Sequence, residues 1–149
     1  MRRPLSTPVL AALLFGVFGT LAAASTYPLM TRFAQEAGVS EWVFIAVPAL
    51  LATLFALIVY RGSATERMRS ISQSLSRGLL VAVLTWTGFS VMATWMWCIP
   101  KNYGECFRDT LMISGALGGG QLLLATLAAA AILGYTIRAR SAGTWKAKD

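Results

Sequence analysis

The chain has 149 residues, of which 56% are hydrophobic and 13% charged, which is too apolar for a soluble domain of this size, where charged residues make up about 25%. Its net charge of +7 does not mark a nucleic-acid binder, because the basic residues flank apolar runs instead of massing on one face beside base-reading groups. What remains is an all-α integral membrane protein, with little chain left over for a soluble catalytic domain.

Four apolar runs, approximately 8–30, 42–60, 78–97 and 111–137, contain no Asp, Glu, Lys or Arg. Each approaches or exceeds the roughly 20 residues that cross about 30 Å of hydrocarbon at 1.5 Å per residue. They predict a single four-helix transmembrane bundle over residues 1–149 with short connections. Lys and Arg set its orientation, since positive flanks stay on the cytoplasmic side. Arg2, Arg3, Arg61, Arg67, Arg69, Arg77, Arg138, Arg140, Lys146 and Lys148 fall on one side, against Arg32, Lys101 and Arg108 on the other. Both termini and the basic connection 61–77 are therefore expected in the cytoplasm, and loops 31–41 and 98–109 outside. In a bacterium the location is the inner membrane.

The first run also fits a cleavable secretory signal: Arg2-Arg3, an apolar stretch from Val9, then Ala22-Ala23-Ala24 before Ser25. The run continues through Tyr27-Pro28-Leu29-Met30 and exceeds the 7–15 residues of a usual signal core, which favours a retained helix. In the first connection, Ser40-Glu41 suits a helix start, with Ser as cap and Glu at the positive end of the dipole. Pro48 predicts a kink in the second helix. In the second connection, Ser63 and Glu66 have capping-box spacing. Met68, Ile71 and Leu75 then line one edge of a short amphipathic helix whose Arg67, Arg69 and Arg77 suit anionic headgroups or a docking partner.

On the third run, Thr87, Ser90 and Thr94 recur at i, i+3 and i+7, and with Gln121 and Thr53 they form a candidate polar track. Interhelical hydrogen bonds or a narrow path for a neutral solute both use such residues. Trp42, Trp95, Trp97 and Trp145 are expected as interfacial anchors and Trp86 inside the bundle. Cys98 and Cys106 bracket the third connection, with Pro100, Asn102 and Gly104 between them. They are placed for a disulfide in an oxidising compartment.

Four helices with externally facing cysteines resemble, in general layout, the quinone-linked disulfide-generating membrane proteins and vitamin K epoxide reductases. That resemblance implies thiol–disulfide redox chemistry, but the Cys-x-x-Cys pair and the second, relaying pair of those families are absent. Small multidrug transporters are also short and four-spanning, yet carry a Glu in the first helix, where this chain has no acid.

Asp109 reads as a cap for the fourth run, which is the richest in small residues. Gly115 and Gly119 form Gly-x-x-x-Gly, Ala116 and Gly120 repeat the spacing, and Ala125/Ala129 and Ala130/Gly134 extend it. The first run adds Ala12/Gly16 and Gly19/Ala23. Such spacing lets helix backbones approach closely, within the bundle or with a partner.

No ionisable group lies inside a span, although such groups are the usual markers of transport and membrane catalysis. The lack of histidine removes imidazole ligation and the commonest general base. No catalytic, cofactor or metal residue is therefore expected. The expected function is non-enzymatic: an accessory, regulatory or immunity/exclusion-type component that acts by helix–helix contact with another membrane protein or with itself. Small-solute transport by an oligomer is the alternative, and thiol–disulfide redox the second.

Overall fold

The computed structural model describes residues 6–38, 40–61, 70–98 and 102–146. Among these residues the secondary structure is helical, with no strand. Helix α1 (Thr7–Ala37) starts with Pro at its first turn, where the missing N–H costs nothing, and ends at Gly38. Gly38 has φ 65°, and its N–H reaches the carbonyls of Ala34 and Gln35, as expected for a left-handed helix stop. The helix thus outruns the apolar stretch 8–30. A few polar residues do not end a helix, whereas a residue that reverses the backbone does.

Helix α2 (Val43–Val59) contains Pro48 and is preceded by Trp42. The expected Ser40 side-chain cap is not used. Ser40 instead offers its backbone carbonyl to the Val43 N–H at 3.0 Å, and Glu41 accepts a hydrogen bond from the Tyr27 hydroxyl. Helix α3 (Ile71–Trp97) is capped by Ser70, whose Oγ accepts from the Gln73 N–H at 3.3 Å. The amphipathic stretch from Ile71 is therefore continuous with the third span, not a separate surface helix. Ser63, Glu66, Arg67, Met68 and Arg69 lie outside the described residues.

The fourth rod comprises α4 (Tyr103–Ser114), a π-helical turn (Gly115–Gly119) and α5 (Gly120–Lys146). Asp109 lies inside α4 and caps nothing, because the helix begins six residues earlier at Tyr103. The expected loop 98–109 is correspondingly short. Cys98 and Cys106 are joined as a disulfide, their Cα atoms 6.2 Å apart, so the bond ties the end of α3 to the first turns of α4.

The four rods pack as a ring: α1 on α2 and α5, and α3 on α2 and the fourth rod. The interior is small and hydroxylic. Ala11, Ala52, Ala56, Ala129 and Ala130 are buried with Ser74, Thr85, Ser90, Thr94 and Thr126, and the larger side chains among them are Phe15, Tyr60, Val81 and Leu133. Large apolar side chains point outward instead, including Leu13, Val17, Leu50, Ile58, Val91 and Leu124. A soluble protein would bear a cost for that surface, whereas hydrocarbon solvates it without one.

At one end, the buried Tyr60 hydroxyl donates to the Ser74 carbonyl at 2.9 Å, and the Ser74 hydroxyl donates to the Ala130 carbonyl at 2.7 Å. This pins α2, α3 and α5 together. The Tyr60 ring packs 5.5 Å from Phe15, and the Arg77 guanidinium lies 5.9 Å from its centroid. Close approach needs glycine here: a Cβ on Gly78 would meet the Ala130 Cβ at 2.5 Å, and one on Gly134 the Ser74 Cβ at 2.9 Å.

Three stretches are long and apolar enough to cross a membrane: Thr7–Leu29, Ile71–Met96 and Tyr103–Arg140. At 17 residues, α2 is about 26 Å long and sits at the lower limit for a span.

Candidate functional site

The residues singled out by spacing separate into an interior cluster and an outward face. Inside, α3 and the fourth rod meet through hydroxyls. The Trp86 Nε1–H donates to the Ser114 Oγ at 2.9 Å, and Ser90 and Ser114 share a hydrogen bond at 3.0 Å. Thr94 donates back to the Ser90 carbonyl at 2.7 Å. Ser114 is the last residue before the π turn. A π turn widens the helix by one residue per turn and shifts the phase of whatever follows, so the four-residue spacing across 115–119 does not define one face.

The glycines show the result. A Cβ on Gly115 would lie 2.7 Å from the Trp86 indole, whereas at Gly119 and Gly120 it would meet nothing within 4 Å. Gly115 therefore serves packing within the bundle, and Gly119 and Gly120 do not. Ala116 and Gly120 are exposed, as are Gln121 and Leu124.

The polar track is divided in the same way. Ser90 and Thr94 are buried and internally bonded, Thr87 is half-buried, and Gln121 faces outward. Thr53 bonds to its own helix at the Ala49 carbonyl. Of the five residues of the candidate track, Ser90 and Thr94 are thus the ones buried in the bundle.

Two hollows flank Trp86. A partly open cavity of about 60 Å³ lies among α1, α2, α3 and the π turn, with Thr26, Thr85, Trp86 and Ser114 in its lining. A second, apolar hollow of about 480 Å³ is lined by Leu79, Val83, Met112 and Leu123. Trp86, Gly119 and Leu122 belong to both. Sequence spacing singles out Gly19, Ala23, Gly115 and Gly119 of these linings, but not Thr26 or Thr85, which belong to no repeat. The exposed Trp42 and Trp95 sit at the α2 start and in the last turn of α3, as interfacial anchors should. Comparison with protein-family models, with characterised proteins and with solved structures finds no match.

Proposed function

We propose that this chain is a non-enzymatic, multi-pass inner-membrane protein that acts by pairing with another membrane helix. Its role is that of an accessory, regulatory or immunity/exclusion-type component, with both termini cytoplasmic. The partner is a second membrane protein or another copy of the chain.

The observation that carries this reading is Gln121. It is exposed near the middle of the apolar stretch Tyr103–Arg140, and its amide has no hydrogen-bond partner among the described residues. Hydrocarbon offers such a group nothing, and an unpaired polar group there costs several kcal/mol. Helix pairing satisfies it, at about 0.6–2 kcal/mol per interhelical bond. The open Gly120 and exposed Ala116 beside it allow the partner backbone to come close.

Gentle-detergent purification of the tagged protein from its native membrane, with intact-mass and partner identification, tests this directly. A stoichiometric complex is expected, lost in Gln121→Leu and Gly120→Leu with the melting temperature unchanged. A lone monomer, or a complex indifferent to both substitutions, overturns it.

Solute transport has less support, because Ser90, Ser114 and Thr94 are committed to internal hydrogen bonds. Uptake by reconstituted vesicles that is lost on Ser90→Leu or Thr87→Leu would restore it. The redox alternative rests on the single Cys98–Cys106 bond, with no further cysteine to relay electrons.

A further inference from the structure

Thr85 is an exception to the way this bundle treats its hydroxyls. Buried or lipid-facing Ser and Thr in helices usually donate to a carbonyl one turn back, and here Thr20, Thr26, Thr53, Thr94 and Thr126 all do so at 2.7–2.9 Å. Thr85 is fully buried, and its hydroxyl is the one buried side-chain polar group without a partner among the described residues. An unmet hydroxyl in the interior costs about 1–3 kcal/mol. Thr85 belongs to the lining of the 60 Å³ cavity, with its hydroxyl closed off in the empty site, so an occupant meets it by turning the side chain towards the cavity.

Three properties define that occupant. The lining of both hollows contains no ionisable side chain, so it is neutral. The smaller cavity holds only a few heavy atoms, the space of about four waters, beside Thr85 and Ser114, so the part that enters is small and hydrogen-bonding. The adjoining 480 Å³ hollow is apolar and in the size range of ligand pockets. Between them stands Gly119, where even a methyl group would touch nothing within 4 Å, so the wall is low at that point.

We propose that the two hollows form one binding site for a neutral amphiphile, a single alkyl chain bearing one hydroxyl or carbonyl group. The chain lies in the outer hollow against Trp86, and the polar end passes Gly119 to pair with Thr85. This goes beyond the helix-pairing reading and uses none of its residues.

The test places the full-length protein in phosphatidylcholine nanodiscs, with Trp42, Trp95, Trp97 and Trp145 changed to Phe so that Trp86 alone fluoresces. Quenching by 6-bromohexan-1-ol is compared with quenching by 1-bromohexane at equal membrane mole fraction. The alcohol should quench saturably, at about fivefold to tenfold lower concentration than the bromoalkane. Thr85→Val should abolish that advantage and raise the melting temperature of the ligand-free protein, because it removes an unpaired hydroxyl at constant shape. Gly119→Leu should remove the saturable phase. Equal quenching by the two probes overturns the proposal, as does an advantage that survives Thr85→Val. The comparison of probes on unaltered Thr85 decides the matter even where a variant fails to fold.

Discussion

Gly115 faces the Trp86 indole with no room for a methyl group, whereas Gly120 faces open space. Their substitution should therefore part company. Gly115→Leu must displace the indole and break its bond to Ser114, at a cost of about 1–3 kcal/mol for overpacking and a similar amount for the lost partner. A clear fall in melting temperature in detergent is the expected result, with Gly120→Leu indistinguishable from wild type in the same scan. Ser114→Ala, which leaves both Trp86 and Ser90 short of a partner, should cost about 1–3 kcal/mol by the same measurement. Sequence spacing groups Gly115, Ala116, Gly119 and Gly120 as one small face. It does not reveal the π turn that divides them, because π and α conformations share one hydrogen-bonding chemistry and differ in packing partners that lie far along the chain.

At the level of the helices, the apolar runs locate each rod and both ends of α2, but they miss the end of α1 and the starts of α3 and of the fourth rod. Hydrophobicity reports where lipid begins, not where a helix stops. So α1 continues to Ala37, α3 starts at Ile71, and α4 begins at Tyr103 among residues as polar as Glu105 and Asp109. The Cys98–Cys106 pairing was legible from position and turn residues, and its mechanical role follows from the helix that lies immediately beyond it. Cys98→Ser should destabilise the fold by about 2–3 kcal/mol on the loop-entropy account. That loss appears as the difference in melting temperature between oxidised wild type and the variant, with helix content by circular dichroism unchanged. At the opposite end, Tyr60→Phe removes the hydroxyl that ties α2 to the α3 backbone and should cost about 1 kcal/mol, read from the same thermal scans.

For the molecule as a whole, the distribution of Lys and Arg makes a prediction about sidedness. Ser40 and Ala139 are exposed at opposite ends of the bundle. In intact spheroplasts, a membrane-impermeant maleimide should label Ser40→Cys and spare Ala139→Cys, with the native pair held as a disulfide; the reverse pattern inverts the proposed topology. The ring of rods and its apolar outer surface follow from four apolar runs and short connections. The binding hollows do not, because they depend on which small residues meet across the ring, and a glycine that fills a contact looks the same in sequence as one that leaves a gap.

The rods are unequal, and the inequality acts on the lipid. With only 17 residues, α2 falls a few ångströms short of a hydrocarbon layer about 30 Å thick, while its neighbours α1 and α3 exceed it. With the bundle inserted as proposed, a bilayer around it would be pinched along one flank, and relief would come from thinner membrane, shorter acyl chains or another protein covering that flank. On that reading the shortest helix would give the chain a preference for where in a membrane, and beside what, it comes to rest.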